Sequence, residues 1–295
     1  MRITPYFRLI RAPHWIKNIF LFVPLVYSRN LFHWEHLSLT LLGFVAFNLA
    51  SSMIYVLNDI VDRDRDKLHP KKKLRPIPAG DVSVGSAIAV LSVLGFLTLS
   101  IAFQLNVKFQ IVILAYILLN TAYSFKLKNI VLLDIFSIAG GFILRVWAGT
   151  VVIGVEASSW LILITLFLSL FLAVMKRMSE SELLSTEEQD HLLVRKVLEN
   201  YSRRFIDQIS AVSSGGVIVF YAFYTVAPRT MEIFGTDQLI YTTPFVVFGI
   251  FRYMYLVYQY NKGESTIEIL MQDVPTIVNA ILYVSTTVLI VYKLI

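Results

Sequence analysis

Residues 37–66 have the sequence LSLTLLGFVAFNLASSMIYVL followed by NDIVDRDRD, so that a long apolar run leads directly into an acidic cluster. A bilayer core of ~30 Å requires about 20 apolar residues in a helix, and the run 37–57 has that length. Eight further stretches qualify, of which the first is short and contains Pro24: 18–34, 83–105, 107–124, 131–153, 158–178, 205–226, 240–260 and 275–294. The sequence therefore predicts an all-α, polytopic membrane protein with nine transmembrane helices.

The composition excludes a soluble globule and a disordered chain. Of the 295 residues, 57% are hydrophobic and 16% are charged, and the mean hydropathy is +0.68. Soluble domains are nearer half apolar and a quarter charged. The absence of cysteine excludes disulfides, a thiolate nucleophile and a Cys-ligated metal. On so apolar a chain, the net charge of +6 indicates membrane orientation or an anionic substrate rather than nucleic acid.

Lysine and arginine are distributed unevenly between the predicted loops. With a cytoplasmic N-terminus, the inside segments carry 20 of the 26 Lys and Arg residues and the outside segments carry four. Cytoplasmic loops are enriched in these residues. We therefore predict a protein of the inner or plasma membrane with its N-terminus in the cytoplasm and its C-terminus outside. No linker or repeat divides the chain, so residues 1–295 are predicted to form a single domain.

The acidic cluster has the spacing of one helix face. If the helix continues past residue 57, Asn58, Asp62 and Asp66 fall at i, i+4 and i+8. Asp59 lies close to them on the same face, whereas Asp64 points away and is expected to be a solvated charge. Carboxylates grouped with an amide oxygen form a hard-oxygen site suited to Mg²⁺, which commonly also binds substrate phosphates. On spacing alone, a solvated helix end neutralised by neighbouring arginines remains an alternative.

A basic loop, HPKKKLRPIPAG, follows at 69–80. Its candidate phosphate ligands are Lys72 and Arg75, because these side chains make charge-assisted hydrogen bonds to phosphate oxygens. Three prolines in nine residues stiffen the loop, which a loop that only sets topology does not need. A metal site followed at once by Lys and Arg favours a ligand with several phosphates, bound on the cytoplasmic side.

The two stretches together match a long composite motif. Asn-Asp-x-x-Asp-x-x-x-Asp at 58–66, followed by His-Pro-x-Lys-x-x-Arg-Pro-Ile-x-Ala-Gly at 69–80, resembles the first Asp-rich motif of the UbiA superfamily of intramembrane prenyltransferases. The resemblance implies a UbiA-like bundle of nine transmembrane helices. It also implies that Asp59, Asp62 and Asp66 are catalytic. The metal ligands that it implies for Mg²⁺ are Asn58, Asp59, Asp62 and Asp66.

The second Asp-rich motif of the aromatic prenyltransferases in that superfamily is replaced here. The corresponding region, 176–182, is KRMSESE, a Lys-Arg-x-x-Glu pattern. Ionising an allylic diphosphate requires strong neutralisation of the leaving group, which two metal-binding motifs would provide. One acidic motif and one basic motif indicate instead two anionic substrates.

Further patterns resemble the superfamily branch that transfers 5-phosphoribose from phosphoribosyl pyrophosphate to a polyprenyl phosphate, with Mg²⁺ and release of pyrophosphate. They are Trp-x-Lys-Asn at 15–18, Tyr-Ser-x-x-Leu-Lys at 123–128, Leu144-Arg145 and Lys-Arg-x-x-Glu at 176–180. The implied partners are these two substrates and the membrane, without nucleic acid, and a homo-oligomer stays open. The implied substrate-binding residues are Lys17, Lys72, Arg75, Tyr123, Lys128, Arg145, Lys176, Arg177 and Glu180.

Several of these residues have a structural alternative. Lys17 also fits an interfacial anchor. Arg145 and Arg252 lie within predicted spans, where a charge is costly, and each also fits a structural ion pair. Lys176 would pair with Glu180 along a helix and would leave Arg177 for a phosphate.

Two other functions are kept as alternatives. The first is a UbiA-type prenyltransferase that moves a polyprenyl group from its diphosphate to an aromatic acceptor, for which a second Asp-rich loop would be typical. The second is a lipid-binding or transport membrane protein, for which paired broken helices or a transmembrane proton relay would be typical.

Overall fold

The computed structural model describes residues 4–68, 72–186, 200–260 and 272–293, and all regular structure in these ranges is helical. Short 3₁₀ segments and turns join the α-helices. In chain order the helices are α1 Thr4–Ile10, α2 Val23–Tyr27, α3 Trp34–Val61, α4 Arg63–Leu68, α5 Val84–Ala102, α6 Val107–Phe125, α7 Leu133–Val152, α8 Ser159–Thr186, α9 Arg203–Val226, α10 Pro228–Phe234, α11 Thr243–Tyr260 and α12 Val274–Val291.

Within the described ranges, eight helices are long and apolar enough to cross a membrane. They are α3, α5, α6, α7, α8 over Ser159–Glu180, α9, α11 extended back to Gln238, and α12. Each coincides with a predicted stretch, and large apolar side chains such as Phe96, Leu118 and Ile281 are exposed on them, as a lipid-facing surface requires. The predicted all-α integral membrane protein is confirmed, whereas the exact count of nine spans is not.

The predicted first span, 18–34, is the stretch that differs. Residues Ala12–Phe22 form a 3₁₀ helix, which continues into the short helix α2 and ends at Tyr27. Pro13 and Pro24 each lack the N–H that an α-helix interior needs. A 3₁₀ helix rises about 2.0 Å per residue, so the segment from Ala12 to Tyr27 is still about 30 Å long.

Side-chain caps explain where three of the spans begin. Ser83, Asn106 and Ser202 precede α5, α6 and α9. In each case the side-chain oxygen accepts a hydrogen bond from the backbone N–H three residues later, at 2.9–3.2 Å. Such caps satisfy one of the N–H groups left without a partner in the first turn.

The chain divides into two compact units, and the first comprises residues 4–137 and 144–156 among those described. Its core includes the buried side chains of Leu21, Phe47 and Phe109. The rings of Phe47 and Phe109 meet edge to face, with centroids 5.9 Å apart. This packing fixes the 3₁₀ segment Ala12–Phe22, α3 and α6 relative to one another.

The second unit comprises residues 138–143, 157–186, 200–260 and 272–293 among those described. The helices α8 and α9 pack closely. A Cβ on Gly216 would lie 2.2 Å from the Phe167 ring, so only a glycine fits there. Arg252 donates to both carboxylate oxygens of Asp273, at 3.0 and 2.7 Å, and Asp273 also caps α12 by accepting from the Thr276 N–H. Arg252 therefore forms an ion pair with Asp273, and the hydrogen bond from Arg252 lowers the pKa of Asp273.

Candidate functional site

The acidic cluster lies where α3 gives way to α4. The helix is interrupted at Asp62 rather than continuous, which differs from the expected geometry. The Asp62 N–H nevertheless donates to the Asn58 carbonyl at 2.8 Å, and the Asp66 N–H donates to the Asp62 carbonyl at 2.8 Å. These two bonds preserve the i, i+4 register of Asn58, Asp62 and Asp66 across the interruption.

Two of the aspartates are deeply buried and share one arginine. Asp59 is 1% exposed and Asp66 is 3% exposed. Arg75 Nη1 donates to Asp66 Oδ2 at 2.5 Å and to Asp59 Oδ1 at 3.2 Å. Arg11 also donates to Asp59 Oδ1, while its guanidinium lies 4.9 Å from the centroid of the Tyr55 ring. The predicted phosphate ligand Arg75 therefore sits directly against the predicted metal ligands.

Asp62 is held by a second cation. Lys128 Nζ donates to both carboxylate oxygens, at 2.8 and 2.9 Å, and the lysine is itself 6% exposed. It lies in the 3₁₀ turn Leu127–Asn129, directly after α6, whose last turn carries Tyr123. Lys72 lies in the 3₁₀ turn Lys72–Leu74, in the loop that supplies Arg75.

The neighbouring Asp64 behaves differently from the other three aspartates. Its side chain is 87% exposed and pairs with Lys67 at 3.3 Å. The sequence predicted that Asp64 would point away from the cluster as a solvated charge, and this is confirmed. Its carboxylate provides a natural comparison for the buried ones.

The oxygen donors of the cluster fit a Mg²⁺ ion. In the described ranges no three His, Asp or Glu side chains are grouped so that they could hold a metal by themselves. Mg²⁺ does not need such a cage, because it commonly combines one or two carboxylates with substrate phosphates and water. Asp59 Oδ2 is buried and accepts no hydrogen bond, which is costly for a carboxylate unless a cation engages it. Asn58, Asp62 and Asp66 carry further oxygens of the hard type that Mg²⁺ prefers, and which of them reach one ion stays a prediction.

Arg145 belongs to a buried polar network in the first unit. Its Nε donates to Asn18 Oδ1 at 2.6 Å, and its Nη2 donates to the Tyr116 hydroxyl at 2.8 Å. The Asn18 amide nitrogen donates in turn to Asn48 Oδ1 at 2.7 Å and to Ser51 Oγ at 3.2 Å. The network ties the 3₁₀ segment Ala12–Phe22 to α3, α6 and α7.

Lys17 lies next to this network on the 3₁₀ segment. Its side chain is half-buried. Burial, together with the positive charges of Arg145 and Arg11, lowers the pKa of Lys17 to about 8. An ammonium in such surroundings is easily neutralised unless an anion approaches it.

The basic motif of α8 belongs to the second unit. Arg177 is 1% exposed and its Nη1 contacts Glu180 Oε2 directly, whereas Lys176 Nζ lies 3.9 Å from Glu180 Oε1. The structural alternative in which Lys176 pairs with Glu180 is therefore present, but Arg177 pairs with Glu180 as well. Residues three and four apart share a helix face, and here the buried arginine, not the more exposed lysine, makes the closer contact.

Three residues that contact the site were not singled out from the sequence: Arg11, Asn48 and Tyr116. Arg11 was counted only as one of the inside positive charges. Asn48 had a signal, since an amide in the middle of an apolar span needs a hydrogen-bond partner. Tyr116 had none beyond being a polar aromatic residue within a span.

Comparisons with known proteins show the family to which this chain belongs. The model of the UbiA prenyltransferase family matches residues 19–271, which include the whole acidic cluster. The decaprenyl-phosphate phosphoribosyltransferase of Mycolicibacterium smegmatis is 33% identical over 221 residues, covering 74% of this chain and 69% of that protein. The enzyme of the same name from Mycobacterium tuberculosis is 32% identical over 221 residues, covering 74% and 72%.

The fold has a solved counterpart. The structure of a UbiA homolog from Archaeoglobus fulgidus bound to GPP and Mg²⁺ has a TM-score of 0.70 to this chain at 18% identity, and the match covers 98% of this chain and 99% of that one. The expected UbiA-like helical fold is thereby confirmed, and the family match with the curated relatives confirms the expected transferase. With a family match over most of its length and curated relatives at one third identity, the chain belongs to the UbiA prenyltransferase family.

Proposed function

We propose that this protein transfers 5-phosphoribose from phosphoribosyl pyrophosphate to a polyprenyl phosphate and releases pyrophosphate. The observation that carries the proposal is the alternation of acids and bases at the α3–α4 junction. There, Asp59 and Asp66 meet Arg75, and Asp62 meets Lys128. A magnesium diphosphate needs both carboxylates for the metal and cations for the phosphate oxygens. The names of the mycobacterial relatives support the same substrates.

The diphosphate end of the donor would be bound at this junction. Asn58, Asp59, Asp62 and Asp66 are the oxygen donors for Mg²⁺, and this ion, when bound, neutralises the charge that develops on pyrophosphate. Arg75 is placed to contact the phosphate oxygens, since it already reaches two of the carboxylates. Bidentate guanidinium groups are well matched to phosphate in geometry and charge.

The reaction is a substitution at the anomeric carbon of the ribose. An oxygen of the lipid phosphate forms a bond to this carbon, the carbon–oxygen bond to pyrophosphate breaks, and its electron pair leaves with pyrophosphate. The nucleophile is already an anion, so no general base is required. The transition state resembles an oxocarbenium ion, as in other glycosyl transfers. The roles left to the protein are to bind both anions and to hold the two reacting atoms in line.

The basic motif of α8 favours this reaction over prenyl transfer to an aromatic acceptor. Arg177 and Lys176 stand where a second acidic motif would be expected, and Glu180 of the same motif is engaged by Arg177. A region of this composition is better suited to an anionic substrate than to a second metal ion.

The proposal is tested by labelled transfer with purified protein, Mg²⁺, polyprenyl phosphate and phosphoribosyl pyrophosphate carrying a labelled ribose. We expect a labelled lipid formed in equal amount to the released pyrophosphate. If labelled product forms only when a labelled prenyl diphosphate is supplied with an aromatic acid, the first alternative would be established instead. Transfer with neither pair of substrates would favour a lipid-binding or transport protein.

Asp66→Asn and Asp64→Asn form a matched pair of variants in the same short helix. We expect Asp66→Asn to lower kcat by about 10²-fold or more, because it removes the negative charge of one of the carboxylates proposed to bind the Mg²⁺ ion of the diphosphate. Asp64→Asn should leave the rate within about twofold, because this carboxylate is 87% exposed. Equal rates for the two variants, at equal membrane insertion, would contradict the assignment of the buried cluster.

A further inference from the structure

Arg11 links the N-terminal part of the chain to the acidic cluster. It lies between α1 and the 3₁₀ segment Ala12–Phe22, and its guanidinium donates to Asp59 Oδ1. The same guanidinium lies 4.9 Å from the centroid of the Tyr55 ring, within the range of a cation–π contact. Tyr55 precedes Asp59 by four residues on α3, so both side chains lie on one face of that helix. One arginine thus contacts two successive turns of the face that carries Asp59.

The backbone of Arg11 has a conformation that favours glycine. Its φ of 51° and ψ of 48° are left-handed, which is costly for a residue with a Cβ. Ser52, on α3, fixes this turn from both sides. Its hydroxyl donates to the Ile10 carbonyl at 2.8 Å and accepts from Trp15 Nε1 at 2.9 Å. A glycine would form the turn more easily, so an arginine at this position points to a use for its side chain.

The two oxygens of the Asp59 carboxylate have different surroundings. Oδ1 accepts from Arg11 and also from Arg75 Nη1, the latter at 3.2 Å. Oδ2 is buried and accepts no hydrogen bond within the described part of the chain. Because Asp59 is only 1% exposed, this oxygen is also shielded from bulk water. A carboxylate held by one oxygen in this way offers the other oxygen to a cation.

We propose that Arg11 is a positioning residue, which holds Asp59 by Oδ1 and so leaves Oδ2 as the oxygen that binds the Mg²⁺ ion. The inference rests on the proposed function, because that function requires Mg²⁺ at the acidic cluster. Arg75 reaches the same Oδ1, but it also contacts Asp66 at 2.5 Å and is the proposed contact of the diphosphate. Arg11, in contrast, rests on Tyr55 of the helix that carries Asp59, so it holds the carboxylate whether or not a phosphate is bound.

Positioning and simple charge make opposite predictions for metal affinity. Removing a positive charge beside a cation site lowers the electrostatic repulsion and should strengthen metal binding. Removing a group that orients a ligand oxygen should weaken metal binding, because the site loses its preorganisation. If Arg11 contacted only the phosphates, its removal would not weaken the binding of a metal ion without phosphate. The direction of the change in metal affinity therefore separates a positioning role from the other two.

Manganese binding in the absence of phosphate tests the role of Arg11. Mn²⁺ prefers the same hard oxygen ligands as Mg²⁺, and electron paramagnetic resonance measures the free ion in titrations of purified protein in detergent. Arg11→Gly should weaken Mn²⁺ binding about tenfold or more, and unchanged or tighter binding would overturn the inference. Arg29→Gly is the matched control, because Arg29 has the same left-handed backbone, with φ of 60°, just beyond α2. It should keep the wild-type affinity, and an equal loss in both variants would overturn the inference.

A second pair of variants leaves the formal charge unchanged. Tyr55→Leu removes the ring beneath the Arg11 guanidinium, whereas Tyr55→Phe keeps the ring and removes only the hydroxyl. Because a cation–π contact contributes to holding the guanidinium, Tyr55→Leu should weaken Mn²⁺ binding about threefold or more, and Tyr55→Phe should stay within about twofold of wild type. Equal affinities in these two variants would overturn the inference even if Arg11→Gly were poorly folded.

The outcome for Arg11 is separable from the outcome for the proposed function. If wild-type protein binds Mn²⁺ in an Arg11-dependent manner yet transfers no phosphoribose, the proposed function fails and the positioning role stands. If wild-type protein transfers phosphoribose while Arg11→Gly binds Mn²⁺ as tightly as wild type, the proposed function stands and the positioning role fails. A wild-type protein that binds no Mn²⁺ at millimolar concentration would also overturn the positioning role.

Discussion

At the scale of single residues, Asn18 joins more of the site than any other side chain described above. Its oxygen must face Arg145, because a guanidinium only donates hydrogen bonds. Its nitrogen must then donate to Asn48 and Ser51, which it reaches at 2.7 and 3.2 Å. The orientation of one buried amide is therefore fixed by its partners, and it helps to hold the Arg145 side chain in place.

Replacing the Asn18 side chain should destabilise the folded protein. We expect Asn18→Ala to lower the free energy of unfolding by about 3 kcal/mol, because it removes the buried hydrogen bond from Arg145 Nε and the one to Asn48 Oδ1. Asn120→Ala is the control, since Asn120 only donates to a carbonyl of its own helix, that of Tyr116, at 2.8 Å. It should cost less than about 1 kcal/mol. Denaturant unfolding in detergent measures both, and equal losses would contradict a linking role for Asn18.

At the scale of elements, the 3₁₀ segment Ala12–Phe22 depends on a close approach to α7. A Cβ built on Gly149 would lie 2.2 Å from the Leu21 carbonyl oxygen. Real side chains do not come so close to backbone, so glycine is needed for the two backbones to touch. At the other end, Arg11 adopts a left-handed conformation with φ of 51°. This turn separates α1 from the segment.

Gly149→Ala should therefore displace the segment. We expect a loss of about 1–3 kcal/mol in stability, from overpacking against backbone that cannot rotate aside, together with weaker phosphate binding. Gly215→Ala is the matched control in another span, because a Cβ there meets nothing within 4 Å. Alanine is favoured over glycine in a helix interior by about 0.5–1 kcal/mol, so this control should be neutral or stabilising. Thermal unfolding of both variants and their affinity for a phosphate ligand make the comparison. A Gly149→Ala variant with the melting temperature of the wild type would contradict the need for glycine at this contact.

At the scale of the whole molecule, local patterns were predictable and long-range contacts were not. The eight candidate spans among the described residues follow from apolar runs. The register of Asn58, Asp62 and Asp66 follows from their four-residue spacing. One partner of Asp59 lies 48 residues away, at Arg11, and one partner of Arg145 lies 127 residues away, at Asn18. Such pairs leave no periodic signal. The 3₁₀ winding of Ala12–Phe22 was likewise not predicted from the apolar run.

The orientation of the molecule in its membrane is a further prediction. The excess of Lys and Arg places the acidic cluster on the cytoplasmic side. Because the chain has no native cysteine, Asp64→Cys and Gln104→Cys each introduce one unique thiol at an exposed position. In intact cells a membrane-impermeant maleimide should label Gln104→Cys, and should label Asp64→Cys only after permeabilisation. The reverse pattern would contradict the orientation.

The winding of the Ala12–Phe22 segment has a consequence for ligand recognition. Eleven residues wound as an α-helix would be about 5 Å shorter than in the 3₁₀ form. Each residue would also advance by 100° around the axis instead of 120°, so that six residues from Ala12 to Asn18 accumulate a difference of about a third of a turn. Rewinding would therefore move the Lys17 ammonium and the Asn18 amide away from their neighbours together. The pitch of this one short coil therefore decides whether Asn18 stays within hydrogen-bond distance of Arg145 and Asn48.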